Sequence, residues 1–159
     1  MLVKDIMTKE VILIPPSFTI QQAVDVMNKT GRHFLPVGKH DQILGVVTKS
    51  DIDTRAIATG LSLNSSVCNI FTNGVRYCFE EEDVVRAKLM MKKWKVKRLI
   101  VLNKNISIAG IVSLTDTLSK TNTHSLINSF RYNIFGATKE IKILSAYHAR
   151  KLSEHHKRG

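Results

Sequence analysis

Apolar residues in this chain fall into short runs of two kinds, which alternate along most of its length. Some runs are continuous, such as VILI (residues 11–14) and FLPV (34–37), and these predict buried β-strands. Other runs space their apolar residues three or four apart, as Ile20, Ala23 and Met27 do, which predicts the buried face of an amphipathic helix. Read in order, the runs predict strand, helix, strand, strand and helix.

Start and stop signals bound the predicted helices. Thr19 and Gln22 form a capping-box pattern at the start of the first helix, and Gly31 follows its last apolar residue. The segment DIDTRAIATG, which begins at Asp51, predicts a second helix that Gly60 stops. One complete β-α-β-β-α unit therefore ends near Gly60.

The same unit recurs in the second part of the chain. At an offset of 64 positions, identical residues stand opposite Ile6, Thr8, Ala23, Met27, Leu35 and Val37. After one inserted loop residue the offset becomes 65, and identical residues stand opposite Ile43, Gly45, Val47 and Asp51. Because the matches stay in register with one loop-sized shift, the chain contains an internal duplication.

The duplication predicts an α+β fold class made of two β-α-β-β-α repeats. A unit of about 60 residues buries too little surface to be stable alone, so we expect the repeats to pack sheet to sheet around a shared core. An approximate two-fold axis would relate them, with clefts between the two halves. The predicted organisation is repeat one at residues 1–62, repeat two at 63–120, and a C-terminal extension at 121–159.

One motif stands at the same point of each repeat, where the last strand turns into the second helix. GVVTKSDI is matched by GIVSLTDT, so Thr48 and Asp51 correspond to Ser113 and Asp116. The plain interpretation is a capping box, in which hydroxyl and carboxylate bind free backbone N–H groups. The alternative is a nucleotide site, because a helix N-terminus attracts anions and an aspartate accepts hydrogen bonds from ribose hydroxyls.

A glycine stands three positions before each hydroxyl, at Gly45 and Gly110. Glycine lets another group approach a strand closely, and a helix cap alone does not require it. We interpret the glycine as room for a ligand, and together with the repetition it favours the nucleotide site.

In combination, these motifs resemble the cystathionine-β-synthase (CBS) domain family. D-I-M-T, P-x-x-T-x-x-x-A, P-V and G-h-h-T-x-x-D, where h is apolar, follow one another in the first repeat, and residues 67–117 look like a second copy. The pair resembles a Bateman module. That resemblance implies a regulatory domain that binds adenosine nucleotides or related ligands, such as S-adenosylmethionine, in clefts between the halves.

The resemblance also implies which residues bind the ligand. The corner residues, which would hold ribose and phosphate, are Thr48, Asp51, Ser113 and Asp116. The segments that lead into the first strand of each repeat, which would lie near the base, run from Thr8 to Ile12 and from Thr72 to Val75. The basic residues that would reach phosphates are Arg32, His33, Lys97 and Arg98.

The second repeat departs further from the family pattern, with Ile100 in place of the proline before Val101 and with serine in place of threonine at its corner. Ser113 keeps the hydroxyl, so a second site is still possible, but we expect the first corner to matter more.

Charge supports a competing function. The net charge is +11, of which +6 lies from Lys120 onwards. A basic surplus attracts phosphate groups, so a nucleic-acid-binding protein that uses the pair as a scaffold is the alternative. In the extension, Ile141, Leu144, His148 and Leu152 fall on one side of a predicted helix, which either packs on the pair or a dimer mate or serves as a basic arm.

Several other classes of protein do not fit the sequence. No apolar run reaches the roughly 18 residues of a membrane span, and the charged N-terminus does not resemble a signal peptide. Cys68 and Cys78 are too few for a disulfide framework or a zinc site, and no complete catalytic constellation is present. We therefore expect a cytoplasmic regulatory homodimer with a regulated protein partner, without enzymatic activity, metal or cofactor.

Overall fold

The computed structural model of the protein describes residues 1–39 and 42–118, so the predicted helical extension at 121–159 lies outside the described residues. The helices are α1 (Ile20–Thr30), α2 (Lys49–Asp51, continued by a π-helical stretch at Ile52–Ile57), α3 (Val84–Trp94) and α4 (Leu114–Leu118). The strands are β1 (Phe34–Lys39), β2 (Gln42–Thr48), β3 (Thr72–Asn73), β4 (Tyr77–Phe79), β5 (Arg98–Leu102) and β6 (Ile108–Ser113). Short 3-10 turns occupy Val3–Asp5 and Val67–Asn69.

Helix α1 begins and ends where the sequence predicts. The Gln22 N–H donates to Thr19 Oγ1 at 3.2 Å, and the Thr19 N–H donates to Gln22 Oε1 at 2.9 Å, so the capping box is complete. Gly31 follows the helix at φ +69°, a left-handed conformation that glycine adopts without steric cost. The predicted stop at Gly60 is likewise left-handed, at φ +70°. Local sequence signals therefore predicted correctly both ends of α1 and the left-handed stop that follows the second helix.

The first predicted strand of repeat one is not formed over its full apolar run. Within residues 11–14 only Ile14 makes a β-bridge, which joins it in parallel to Val37. The ladder cannot continue beyond Ile14, because Pro15 and Pro16 have no N–H to donate. The corresponding run in repeat two does form a strand, β4, which pairs in parallel with β5.

The strands form two sheets, in the orders β1-β2-β3 and β4-β5-β6. Strand β3 belongs to the second repeat by sequence but pairs antiparallel with β2 of the first. Conversely, Thr8 of the first repeat bridges to Ile111 in β6 of the second, with both N–H···O distances at 2.9 Å. We call residues 6–9 the first crossing segment and residues 70–73 the second. Each repeat therefore contributes its crossing segment to the sheet of the other.

The hydrophobic cores follow the same exchange. The cluster around α1, β1 and β2 contains Leu35 together with Val67 and Ile70 from the second repeat. The cluster around α3, β5 and β6 contains Leu99 together with Val3 from the N-terminus of the chain. Neither repeat therefore completes its core with its own residues.

A third cluster lies between the two sheets. Ile100 and Ile111 of the second sheet are buried there, and Phe34 and Ile43 of the first sheet pack against them. Side chains of both sheets thus share one core. The α+β class and the joining of the two repeats through their sheets are confirmed.

Candidate functional site

The first corner lies where β2 turns into α2, and its hydroxyl and carboxylate bind each other. Asp51 Oδ2 accepts hydrogen bonds from the Thr48 N–H at 2.8 Å and from the Thr48 hydroxyl at 2.7 Å. Thr48 Oγ1 accepts in turn from the Asp51 N–H at 3.2 Å. The residue Asp51 is only 8% exposed. The capping box is therefore formed, and it occupies one of the two carboxylate oxygens.

The second corner repeats this geometry where β6 turns into α4. Asp116 Oδ2 accepts from the Ser113 N–H at 2.7 Å and from the Ser113 hydroxyl at 2.6 Å. The Asp116 N–H donates to Ser113 Oγ at 3.2 Å, as in the first corner. Serine thus preserves the hydroxyl contacts of threonine, and the two corners share one local design.

The other oxygen of Asp51 faces Arg55, one helical turn later. Arg55 Nε lies 3.6 Å from Asp51 Oδ1. Arg55 Nη1 donates to the carbonyl oxygens of Ile70 at 3.0 Å and Phe71 at 3.3 Å, and lies 3.4 Å from Thr72 Oγ1. One guanidinium therefore joins the first corner to the second crossing segment. Sequence reasoning missed Arg55, although its i,i+4 spacing from Asp51 was a usable signal.

The two corner glycines mark the points where the crossing segments pass over the sheets. A β-carbon at Gly45 would collide with the carbonyl oxygen of Thr72 and with the ring of Phe71. A β-carbon at Gly110 would lie 2.7 Å from the carbonyl oxygen of Thr8. The close approach is therefore made by the polypeptide itself, which corrects our interpretation of the glycines as room for a ligand.

The predicted site residues are brought together across the repeats. Thr72 pairs with Val46 of β2, which lies two residues before Thr48. Thr8 pairs with β6 at a position two residues before Ser113. Each corner therefore adjoins the crossing segment of the other repeat, and each candidate site is composite.

The far ends of the two leading segments lie in apolar surroundings. Ile12 is partly buried and packs against the cluster of the first repeat. Val75 is partly buried and packs against the cluster between the sheets. Both side chains therefore contribute to packing beside the candidate sites.

The first predicted basic pair adjoins the first corner through its backbone. The carbonyl of His33 accepts a hydrogen bond from the N–H of Lys49, the residue that follows Thr48, at 3.1 Å. The Arg32 guanidinium is 3.1 Å from Glu10 Oε2, and the Glu10 side chain is 80% exposed. The His33 side chain is exposed. These basic groups therefore flank the corner without contacting Asp51.

The second basic pair has the equivalent place. The carbonyl of Lys97 accepts from the N–H of Leu114, the residue that follows Ser113, at 2.8 Å. The guanidinium carbon of Arg98 lies 5.8 Å from the centre of the Phe34 ring, so Arg98 reaches the first sheet.

Possible metal ligands, the two cysteines and the helices of residues 1–39 and 42–118 bear on other functions. No group of three or more His, Cys, Asp or Glu residues in these ranges could hold a metal ion. Both cysteines are free, and burial raises the pKa of the Cys78 thiol, so that side chain stays protonated. Among the helices described, none has the length and apolar character needed to cross a bilayer.

The fold and the paired corners define a tandem pair of interlocked α+β repeats. The sequence model of the CBS domain family matches residues 3–56 and 67–121, one match for each repeat. These matches cover more than half of the chain. The protein therefore belongs to the CBS domain family, and the resemblance seen in its motifs is confirmed.

Curated relatives include both small and large proteins. The chain is 28% identical over 114 residues to the CBS domain-containing protein YhcV of Bacillus subtilis. The aligned region covers 72% of this chain and 81% of YhcV. It is 32% identical over 118 residues to a homoserine O-acetyltransferase of Methanobrevibacter ruminantium, covering 74% of this chain and 23% of the enzyme. The chain thus spans less than a quarter of that enzyme's length.

A solved structure has the same fold. The CBS domain pair of protein MJ0100, determined in complex with 5′-methylthioadenosine and S-adenosyl-L-methionine, is 27% identical to this chain with a TM-score of 0.67. The superposition covers 75% of this chain and 94% of the MJ0100 chain. The shared region is therefore the repeat pair.

Proposed function

We propose that this chain is a regulatory module that senses an adenosine-containing ligand, either an adenosine nucleotide (AMP, ADP or ATP) or S-adenosylmethionine. The observation that carries the proposal is the composite corner, in which Thr48 and Asp51 of one repeat adjoin Thr72 of the other. Membership of the CBS family supports it, as does the MJ0100 pair, which was solved with two adenosine-containing ligands.

In this proposal the two oxygens of Asp51 have different tasks. Oδ2 holds the cap with Thr48, whereas Oδ1 accepts a hydrogen bond from a ribose hydroxyl. Arg32 leaves Glu10 and binds the ligand phosphate. Breaking this contact costs little, because an ion pair with an exposed carboxylate contributes only about 0–1 kcal/mol. Ser113 and Asp116, beside Thr8, form the second site with Lys97 and Arg98.

Regulation follows from the composite construction of the sites. A ligand bound at one corner touches groups from both repeats, so its affinity depends on how the repeats are arranged. A ligand that binds one arrangement better shifts the population toward it, and a partner protein that contacts the pair responds to that shift. The role proposed for this chain is therefore regulatory, not catalytic.

Adenosine ligands are expected to raise the melting temperature. A ligand that binds only the folded state at 100 times its Kd adds about 2.7 kcal/mol, which corresponds to roughly 5–10 °C for a chain of this size. A thermal-shift panel should compare AMP, ADP, ATP and S-adenosylmethionine at millimolar concentration, with GMP as the control for a generic phosphate effect. The absence of any shift with all four adenosine ligands would contradict the proposal.

Salt dependence separates this function from nucleic-acid binding, which the net charge of +11 would favour. Counterion release makes the logarithm of the affinity for DNA fall steeply with the logarithm of salt concentration. A nucleotide held by ribose and base contacts loses much less affinity over the same range. Titrations of AMP and of a short DNA at 50 and 200 mM salt would show which ligand retains its affinity.

We also propose that the pair forms a homodimer through its second helices. Ile57 is 63% exposed at the end of α2, and Leu118 is 56% exposed at the end of α4. Light scattering should give twice the 17.9 kDa chain mass, and Ile57→Glu should lower that mass toward the monomer. Leu44→Glu, at an exposed apolar residue of β2, is the matched control. A wild-type mass of 17.9 kDa at every concentration would contradict the dimer.

A further inference from the structure

The Arg55 guanidinium occupies the junction between the two repeats at the first corner. Its side chain is 48% exposed, whereas the Asp51 side chain beside it is 12% exposed. Arg55 Nη1 is fixed by the carbonyl oxygens of Ile70 and Phe71. The positive charge is therefore held in place by main-chain atoms and still reaches solvent.

Part of this guanidinium is available to a ligand. Nε faces Asp51 and Nη1 faces the second crossing segment, and among the described residues no hydrogen bond is made by Nη2. A guanidinium that is already oriented loses less conformational entropy when it binds an anion than a freely rotating side chain does.

The charge of Asp51 makes such a cation necessary for one class of ligand. A carboxylate at the ribose position repels a ligand phosphate, and in a partly buried site that repulsion is only weakly screened. Arg55 lies 3.6 Å from the carboxylate and offsets its charge. Arg32, the basic residue predicted from the sequence, must first leave Glu10 to reach a phosphate, whereas Arg55 already lies beside the Asp51 carboxylate.

We infer that Arg55 is a further residue of the first ligand site. Arg55 joins the corner to the second crossing segment, and its charge makes the site select adenosine ligands that carry an anionic group. This inference rests on the proposed function. It assigns specificity to a residue that the T-x-x-D motif does not include.

Calorimetric titration with AMP and with adenosine tests the selectivity. Arg55→Gln should lower the affinity for AMP about tenfold or more and the affinity for adenosine by less than about threefold, because only AMP loses a charge-assisted contact. Lys49→Gln is the matched control: it removes the same charge from the same helix, where Lys49 pairs with exposed Asp53 at 3.3 Å. It should change neither affinity more than about twofold. An equal loss for both ligands in Arg55→Gln would overturn the selectivity.

Hydrogen exchange tests the structural half of the inference without any ligand. Arg55→Gln should speed amide exchange in the second crossing segment, and should leave the first crossing segment at the wild-type rate. Arg55→Lys, which keeps the charge but not the two-pronged donor, should speed the same exchange while it keeps the preference for AMP. Unchanged exchange in both variants would contradict the claim that Arg55 holds the second crossing segment at the first corner. A wild-type chain that binds neither AMP nor adenosine would overturn the selectivity. It would contradict the proposed function as well only if ADP, ATP and S-adenosylmethionine also failed to bind, and the exchange result would still decide whether Arg55 joins the two repeats.

Discussion

Replacing Gly45 with alanine should destabilise the folded protein by about 3 kcal/mol, the upper end of the cost of overpacking a well-packed core. The added β-carbon collides with the carbonyl oxygen of Thr72, which is main chain and cannot rotate away, and with the ring of Phe71. The second crossing segment must therefore move off β2. Urea denaturation, monitored by circular dichroism, measures the loss.

Two other glycines serve as controls for this substitution. Gly31→Ala introduces no contact within 4 Å and should cost only about 1 kcal/mol, through its left-handed φ of +69°. Gly110→Ala should fall between the two, because one of its nearest atoms is the flexible Sδ of Met7, at 2.8 Å. If Gly45→Ala proved no less stable than Gly31→Ala, the crossing segment would not be held against β2 as described.

The elements that the sequence predicted well are those with local signals. Strand β1 begins with the run FLPV, in which Leu35 and Val37 are fully buried. Helix α1 coincides with the capping box of Thr19 and the stop at Gly31. These signals involve residues within a few positions of one another, so they could be interpreted without knowledge of the tertiary fold.

The exchange of crossing segments could not be predicted in this way. Thr8 and Thr72 stand at equivalent positions, and nothing within their own repeats indicates that each pairs with the sheet of the other. A two-residue strand such as β3 carries too short a pattern to specify its partner. The glycines Gly45 and Gly110 did signal a close approach, but their sequence context did not identify the approaching group.

From the sequence, the corner residues could be interpreted either as a helix cap or as part of a nucleotide site. A cap and a ribose contact both require a hydroxyl and a carboxylate three positions apart at a helix start. In the structure Oδ2 of Asp51 serves the cap, and Oδ1 points to Arg55. The two interpretations are therefore compatible, since they use different oxygens of one carboxylate.

Asp51→Asn should weaken the binding of the preferred adenosine ligand by about 1.5–3 kcal/mol, or roughly ten- to a hundredfold. The amide has a single acceptor oxygen, which cannot serve both the cap and the ribose, and its NH₂ group would meet a hydroxyl oxygen or the Arg55 cation. The cost to folding should be smaller, about 1 kcal/mol, as for the loss of a helix cap. Asp116→Asn removes the same capping contacts in the second corner and should cost the same stability. We expect it to reduce affinity less than Asp51→Asn does.

Calorimetric titration of wild type, Asp51→Asn and Asp116→Asn with the ligand that gives the largest thermal shift tests the central claim most directly. We expect similar losses of stability in the two variants, with at least a tenfold loss of affinity confined mainly to Asp51→Asn. Unchanged affinity in both variants, beside the expected loss of stability, would show that the repeated corner only caps its helix.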